Sequence, residues 1–355
     1  DGVILKKKSA YSHVFSNQAA TTTGSIYDTN ITLKNMTIDG ADYDTQNGAA
    51  QPTMNGIVNW AYVNGIVMDK ITILQEGQLL FTIHIQNASN IRITNYVGFS
   101  DKLGGVQMQG GVTNVVIDGF DISSRDDAFA INVADYPRVT QSTQDSSNIT
   151  IKNGISRPYP DQAGYFLRLN TGSWLDWASG NTYKIGDVVV NASNHYKMQN
   201  AGPTMASNAP VHTSGNVTGA DGIQWRWIDA GTNYTTNIYN VTVDNVNIDR
   251  RYINRTADDN NYNRSEYPGT EATSLLDGLK LSRLSWGTIA PIVLFGAMQK
   301  VGTVVLENIT VTSSTSVPTA LFYASGRPTT SSTSIETLLL NNVNTFLVSG
   351  KPVVI

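Results

Sequence analysis

The stretch Asn30–Gly40 reads N-I-T-L-K-N-M-T-I-D-G, and its pattern returns eight more times in the 355-residue chain. Its apolar residues fall at Ile31 and Leu33 and then at Met36 and Ile38, which predicts two short alternating strands with a two-residue step between them. Successive copies begin 35, 25, 24, 34, 92, 38, 25 and 34 residues apart, so the chain is a regular repeat with one long interval. The copies begin at Asn30, Gly65, Asn90, Asn114, Asn148, Asn240, Gly278, Thr303 and Thr337.

The repeat predicts the fold class. A single strand pair cannot bury its own apolar face, and no helical periodicity separates the copies, so the copies are expected to stack into a solenoid. A third strand precedes the next copy in several coils, for example Ile83–Gln86 and Leu167–Asn170. The sequence therefore predicts an all-β chain that folds as a right-handed, single-stranded parallel β-helix with three faces per coil.

Asparagine occupies the step between the two strands in six of the nine copies. In stacked coils each side-chain amide can bond to the amide on the next rung, so we interpret these residues as structural. They are Asn35, Asn95, Asn153, Asn245, Asn308 and Asn342.

Composition limits the possible functions. With 40% hydrophobic residues, 15% charged residues and a net charge of −4, the chain can bury a large core but lacks the basic patch expected for nucleic-acid binding. No apolar run is long enough to cross a bilayer. The chain has no cysteine, so durability outside a cell would depend on fold and assembly. We expect neither a nucleic-acid partner nor membrane insertion.

The interval of 92 residues has a composition of its own. Between Gly172 and Gly231 the repeat is missing, and four Trp and two Tyr residues occur within 60 residues. Removing those 60 residues leaves 32, the length of an ordinary coil. We predict a small β domain at residues 172–231, inserted between β-helix segments at residues 1–171 and 232–355.

Two segments resemble carbohydrate-active families. The repeat together with Arg125–Asn132, R-D-D-A-F-A-I-N, is similar to the pectate lyase and polygalacturonase superfamily, in which an Asp-Asp pair before an apolar strand bears the catalytic acids. The insert resembles chitinase-type carbohydrate-binding modules found in phage tail proteins, in Tyr183–Val189, Ala209–Gly215 and Trp225–Trp227. The resemblances imply a bacteriophage tailspike, a homotrimer in the virion tail that degrades capsule or O-antigen at the host bacterial surface.

The chain departs from the polygalacturonase pattern on both sides of the Asp pair. The Asn-Thr-Asp expected one coil earlier is replaced by Lys102–Gly105, and the Gly-His-Gly expected one coil later falls at Ala163–Tyr165. Only Asp126 and Asp127 carry over as candidate acids, with their roles undivided. Activity on polygalacturonate is therefore not expected.

Acidic residues recur at the same turn of successive coils, at Glu76, Asp101 and the Asp126–Asp127 pair. Glycoside hydrolysis needs two carboxyls, roughly 5 Å apart for retention and about 6.5–9.5 Å apart for inversion. Because adjacent rungs are about 4.8 Å apart, Asp101 with Asp126 matches the shorter separation, and Glu76 with Asp126 the longer one. Both mechanisms stay open, and hydrolysis by these acids requires no cofactor and no metal.

Polar residues on the third strand of four coils are predicted to point outward in one column and to form the floor of a substrate groove: His84, Gln107, Asn132 and Arg168. Further contacts are predicted from side chains that offer paired hydrogen bonds or a stacking surface: Arg125, Arg157, Tyr159, Arg251 and Tyr267. In the insert, the aromatic residues have two interpretations, as a small core or as flat faces for sugar rings: Trp174, Trp177, Tyr183, Tyr196, Trp225 and Trp227.

Two other functions compete with hydrolysis. A polysaccharide lyase would remove a proton beside a uronic acid carboxylate, and Asp126 with Asp127 would then hold Ca²⁺. A non-catalytic adhesin would use the groove and the insert only to hold a glycan. We rank the lyase below the hydrolase because a dense set of carboxylates across three coils is missing from the sequence, and the adhesin differs from both enzymes in leaving the size of the polysaccharide unchanged.

Overall fold

The computed structural model describes part of the chain, and its regular elements there are all strands, numbered β1–β26 in chain order. The described residues are 3–6, 13–17, 28–40, 56–75, 81–101, 104–133, 144–157, 159, 165–183, 187–200, 205–232, 235–249, 253–255, 274–287, 293–295, 300–313, 322–324 and 334–347. Within these ranges, no helix is long and apolar enough to cross a membrane.

Two long parallel sheets run the length of the molecule. Sheet A has ten strands in chain order: β1 (Val3–Lys6), β3 (Asp28–Asp39), β5 (Val63–Gln75), β7 (Ser89–Ser100), β9 (Thr113–Ser124), β11 (Ser146–Arg157), β20 (Ile238–Asp249), β22 (Leu275–Gly287), β24 (Lys300–Ser313) and β26 (Ser334–Leu347). Sheet B has nine: β2 (Phe15–Ser16), β4 (Gly56–Ala61), β6 (Phe81–Gln86), β8 (Gly104–Gln109), β10 (Phe129–Asn132), β12 (Leu167–Asn170), β21 (Ile253–Arg255), β23 (Val293–Phe295) and β25 (Phe322–Ala324). The chain alternates between parallel sheets, which confirms the predicted parallel β-helix. Its handedness stays a prediction.

The strands of sheet A bend where the sequence predicts a step. Asn35 has a φ of 55°, in the left-handed region that asparagine tolerates better than most residues. Pairing with β5 continues on both sides of it, from Lys34 with Asp69 to Met36 with Ile71. The two short strands expected around Asn35 are therefore one bent strand, and sheet A supplies two faces of each coil.

Asparagine ladders hold successive bends together, as predicted. Asn245 donates a hydrogen bond from Nδ2 to Asn153 Oδ1 at 2.8 Å, although 92 residues separate the two in sequence. A second ladder, which we did not predict, follows the first position of the repeat. There Asn148 donates to Asn114 Oδ1 at 3.1 Å, and Asn240 donates to Asn148 Oδ1 at 3.1 Å. Both ladders are exposed and repeat from coil to coil.

The core lies between the two sheets. In sheet B it takes alternate residues such as Ile83 and Ile85, and in sheet A it takes the residues on each side of the bend, such as Ile93 and Tyr96. Each buried aliphatic side chain contributes about 1.5–3 kcal/mol relative to exposure. The residues between these positions in sheet B face away from the core, and they form the site described below.

Residues 172–236 contain sheets separate from sheets A and B. Strands β13 (Gly172–Ser173) and β19 (Thr235–Thr236) pair antiparallel at the base. Above them lies a five-stranded sheet of β14 (Leu175–Asp176), β15 (Val188–Asn191), β16 (Asn194–Met198), β17 (Asn216–Thr218) and β18 (Gln224–Ala230). Strands β11 and β20, before and after this segment, pair directly with each other.

Candidate functional site

A stripe of polar side chains runs along the outer side of sheet B, across β4 to β12. Register places the stripe in two columns, because side chains two residues apart share a face. The first column contains Asn59, His84, Gln107 and Arg168, with Ala130 between the last two. The second contains Gln86, Gln109, Asn132 and Asn170. We call these eight polar residues the polar stripe.

The structure corrects two parts of the predicted groove. Asn132 shares the outer face with His84 and Gln107 but belongs to the second column, because Ala130 is the residue in register with Gln107. The stripe is also buried, since His84 and Asn132 are 0% exposed and Gln107 is 2% exposed. Alternation identified the face correctly, but it did not reveal the burial.

His84 is the centre of the stripe's hydrogen-bond network. Its Nδ1 lies 2.9 Å from Asn59 Oδ1 and 3.3 Å from Gln86 Nε2, and its Nε2 lies 2.9 Å from Gln109 Oε1. Burial lowers the pKa of His84 to about 4, so the ring is neutral at pH 7 and has one N–H. In one tautomer that N–H donates from Nε2 to Gln109 Oε1, and Nδ1 accepts from Gln86 Nε2; in the other tautomer it donates from Nδ1 to Asn59 Oδ1.

Two amide groups of the stripe are buried with unused donors. Among the described residues, Gln107 Nε2 and Asn170 Nδ2 have no hydrogen-bond partner, although both residues are only 2% exposed. A buried polar group without a partner costs about 1–3 kcal/mol, and such groups are rare in folded proteins. Other described residues also hold such atoms, for example Ser156 Oγ and Trp225 Nε1, so the two amides distinguish the stripe only together with the adjoining Asp127–Arg168 pair.

Asp127 connects the stripe to the acidic turn. It is 6% exposed, and its Oδ2 lies 3.7 Å from Arg168 Nη1. Its Oδ1 accepts a hydrogen bond from the backbone N–H of Tyr165 at 3.0 Å, and its carbonyl oxygen accepts one from Gly105 at 2.8 Å. Because Gly105 and Tyr165 belong to the coils before and after, two neighbouring coils hold Asp127 in place.

The remaining acids lie at the same edge. The backbone N–H of Arg125 donates to the Ser100 carbonyl at 2.9 Å, and Ser100 is in register with Ser124, so Asp101 and Asp126 lie in the same turn of adjacent coils, one and two residues beyond that pair. Asp126 is partly exposed and Arg125 is exposed. Asp101 is partly exposed too, but its Oδ1 is buried without a hydrogen-bond partner in the described parts of the chain. Glu76 lies outside the described residues.

The predicted outer contacts are only partly near this edge. Arg157 makes a bidentate ion pair with Asp121, with both contacts at 2.6 Å, and that bond raises the pKa of Arg157. Tyr159 packs against Phe99 with ring centroids 5.9 Å apart. Both side chains already have protein partners, so neither is a ready sugar contact. Arg251 and Tyr267 lie outside the described residues.

The insert's aromatic residues mostly form its core, in line with the first of the two interpretations. Trp174 is 5% exposed and packs with Val188 and Val190. Tyr183, Tyr196 and Trp225 are buried together in a second cluster. Only Trp177 and Trp227 are partly exposed, because they lie at the margin of that cluster.

Sequence reasoning missed half of the stripe. Asn59, Gln86, Gln109 and Asn170 lie on the same face as the predicted residues, and Gln86 and Gln109 occur two positions after His84 and Gln107. Outward-facing residues recur every two positions along a strand, so the alternation that identified one polar residue per strand also identifies the second polar residue. In the described ranges, no three His, Cys, Asp or Glu residues are grouped so as to hold a metal.

No family model matches the sequence, and no curated protein matches it. Two solved structures show similarity of fold. The A-module of mannuronan C-5 epimerase AlgE4 from Azotobacter vinelandii is 13% identical with a TM-score of 0.37, over 91% of this chain and 74% of that chain. PfbA, a surface adhesin of Streptococcus pneumoniae, is 11% identical with a TM-score of 0.34, over 93% and 74%. With TM-scores below 0.5, neither carries an argument about this chain's activity.

Proposed function

We propose that the protein is a polysaccharide depolymerase that binds a bacterial surface glycan, a capsule or an O-antigen, at the edge of the polar stripe and hydrolyses it. The observation that carries the proposal is the junction of two unpaired buried amides with the Asp127–Arg168 pair on one outer face. Amide groups recognise sugar hydroxyls because they offer both donors and acceptors. Carboxylates at the end of such a surface are the groups that glycoside hydrolysis requires.

The acidic residues differ in solvent exposure, and this difference assigns them different roles in the reaction. Asp127 is buried and fixed by Arg168 and the Tyr165 N–H, so it positions the substrate or the second acid. Asp126 is partly exposed on the same turn and is the acid that a sugar can reach. Asp101, one rung away, is its partner for a retaining reaction, and Glu76, two rungs away, is its partner for an inverting one.

Access to the glycan is through the acidic turn rather than along the whole stripe. The stripe residues other than Arg168 are buried, whereas Arg125, Asp126 and Tyr165 at its edge keep exposed surface. We infer that the sugar at the cleavage point contacts this edge, and that the stripe supports it from beneath through Gln107 and Arg168. The groups that touch sugar are therefore fewer than the predicted groove contained.

The insert is assigned to retention of the glycan. Trp177 and Trp227 are the aromatic residues there with partly exposed surface, so they are the remaining candidates for stacking on sugar rings. Resemblance to tailspikes supports a virion-tail location at the host surface and a homotrimer with parallel axes. In a trimer, three inserts would raise avidity without changing the chemistry.

One observation favours a lyase as the second candidate. Arg168 beside Asp127 offers a guanidinium that can neutralise a uronic acid carboxylate, which proton removal at the neighbouring carbon requires. A lyase product contains an unsaturated sugar, and a hydrolase product does not. A glycan-binding adhesin, the third candidate, would form no product.

The test is to incubate the protein with a panel of purified capsules and O-antigens and to measure chain size, reducing ends and ultraviolet absorbance. Shortened chains with new reducing ends and no new absorbance support hydrolysis. New absorbance would show elimination instead. Stable binding to a glycan whose chain length never changes would overturn the enzyme and leave an adhesin.

A further inference from the structure

A concave notch lies on the outer side of sheet A, on the faces that follow the bend of each strand. Its volume is about 420 Å³, within the range of small-molecule sites. The notch crosses the coils of β11, β20 and β22, with Ile155, Asn247 and Ser285 in register on its surface. The polar stripe is on sheet B, so the notch is a separate site.

At the floor of the notch, the backbone of one glycine separates the outer surface from the core. Gly154 pairs with Phe120 on one side and Val246 on the other, in a column that otherwise points into the core. A Cβ at Gly154 would overlap ring atoms of Phe120, so the Phe120 ring occupies the space beneath the glycine. Beside it, Ile155 is 38% exposed. Phe120 is only 6% exposed and belongs to the core, so Ile155 supplies the apolar surface of the notch.

The rim of the notch carries a residue that does not fit the bend. Seven of the nine bend positions hold Asn or Gly, whereas Arg283 adopts a φ of 50° without the advantages of either residue. Its Nε donates to Asp244 Oδ1 at 2.8 Å and its Nη2 donates to Oδ2, which leaves three of its five N–H donors outside that pair. A strained residue persists where the surroundings hold it, and such residues cluster at functional sites. Lys70 is the other exception, and it does not line the notch.

We propose that this notch binds a neutral pyranose unit of a polysaccharide. Ile155 offers an apolar surface to the C–H face of a sugar ring, and Asn247 and Ser285 supply hydrogen bonds to its hydroxyls. The Arg283–Asp244 pair presents donors beside acceptors, which suits neighbouring hydroxyl groups. Because Asp244 neutralises Arg283, the rim does not favour an anionic sugar. The inference rests on the proposed function in one respect, because that function identifies a polysaccharide as the source of the sugar. The chemistry by which the notch binds the sugar does not depend on the proposed function.

The test is saturation-transfer NMR with the methyl glycosides of glucose, galactose and mannose, and with methyl glucuronoside as the anionic probe. Ser285→Trp fills the notch from an exposed position, and Val97→Trp, in the same outward column, is its matched control. Arg283→Asn removes the rim donors and relieves the bend, and Lys70→Asn relieves the other bend away from the notch. Thermal unfolding is recorded for all four variants.

We expect at least one neutral glycoside to bind, with affinity at least about tenfold weaker in Ser285→Trp and Arg283→Asn and unchanged in both controls. The midpoint of Arg283→Asn should equal or exceed that of the wild type. Absence of binding by every neutral glycoside, binding of the glucuronoside alone, or unchanged affinity in Ser285→Trp would overturn the proposal. A lower midpoint with unchanged affinity in Arg283→Asn would show a structural role and would also overturn it.

Failure of the depolymerase proposal would look different. Asp127→Asn should leave binding of the neutral glycoside unchanged, because Asp127 belongs to the separate site on sheet B. A wild type that binds the glycoside but degrades no glycan would refute the depolymerase alone. A wild type that degrades glycan but binds no methyl glycoside would refute the notch alone.

Discussion

Sheet A and sheet B use the same amide side chains for different purposes. The ladders of sheet A are exposed, and their asparagines donate to an Asn or Asp on the preceding coil, as Asn148 does to Asn114 and Asn153 does to Asp118. The stripe of sheet B is buried, mixes Asn, Gln, His and Arg, and leaves donors on Gln107 and Asn170 without described partners. In a solenoid, regular repetition of one side chain indicates a structural role, whereas buried polar variety on a neighbouring face indicates a site.

The largest expected effect is on catalysis, where the stripe and the ladders should differ most. Asp126→Asn removes the acid that a sugar can reach, and Asp127→Asn removes the carboxylate that positions it, so we expect at least about a hundredfold loss of cleavage in each variant with folding and glycan binding intact. Glycan cleavage by both variants is measured with the reducing-end assay. The matched control is Asp118→Asn, an acid of sheet A that accepts from Asn153 of the ladder, and it should keep its activity. Near-normal turnover in both test variants would remove the pair from the mechanism.

The next largest effect is a pH dependence of stability, which arises in the stripe of sheet B. The pKa of His84 is about 4 in the folded protein because burial disfavours its charged form, whereas the unfolded chain has the ordinary value of 6.5. Between these values the unfolded state binds more protons, so stability falls as the pH falls from about 6.5 to about 4. One pKa unit is 1.36 kcal/mol, so the loss below that window is at most about 3 kcal/mol.

Urea unfolding across this pH window measures that loss. His84→Gln should flatten the pH dependence, and Gln107→Leu, which keeps the histidine, should retain it. Parallel pH dependence in the wild type and His84→Gln would show that the histidine is not the titrating group.

A smaller effect is expected where a ladder is broken. Asn148 has a φ of 57° and both donates and accepts ladder hydrogen bonds. Asn148→Ala should cost about 1–2 kcal/mol of unfolding free energy, because it loses a hydrogen bond and places alanine in the left-handed region. Asn148→Gly accepts that φ, so denaturant unfolding should show a smaller loss. Equal losses in the two variants would mean that backbone conformation contributes nothing.

The smallest effect concerns the insert, which lies outside both compared regions. Replacing residues 172–231 with a short Gly-Ser link should leave the β-helix folded, since β11 and β20 pair without it. Retention on bacteria or long glycans should weaken by about tenfold through lost avidity, with hydrolysis of short oligosaccharides unchanged. Binding and turnover of the purified variant are measured side by side. Collapse of short-substrate turnover in a folded variant would place the insert in the active site.

The fold was predictable because its signals recur. Nine copies of one pattern identify the coils, and asparagines such as Asn35 mark the bends, because each copy meets the same backbone requirement. The sequence did not show that each bent strand is continuous. A residue in the left-handed region interrupts the local alternation of apolar residues, although strand pairing continues on both sides of it.

The candidate site was less predictable because it depends on the turns between repeats. The turn before β8 and the turn before β10 differ in length, so the sequence did not show that Ala130, and not Asn132, is in register with Gln107. Burial of His84 was also hidden, because alternation separates inner from outer residues without showing what surrounds the outer ones. The ion pair of Arg168 with Asp127 joins residues 41 positions apart and has no local signal.

The direct pairing of β11 with β20 has a consequence for folding kinetics. These neighbours are 92 residues apart at Asn148 and Asn240, so growth of the stack past β11 must first close a long loop. Closing 92 residues rather than the 32 of an ordinary coil raises the entropic barrier by about 1 kcal/mol. An insert that folds first removes this penalty, because the antiparallel pair β13 and β19 brings the two flanks together. Refolding should then be slowed by a variant whose insert is unfolded, such as Trp225→Asp, but not by complete deletion of the insert.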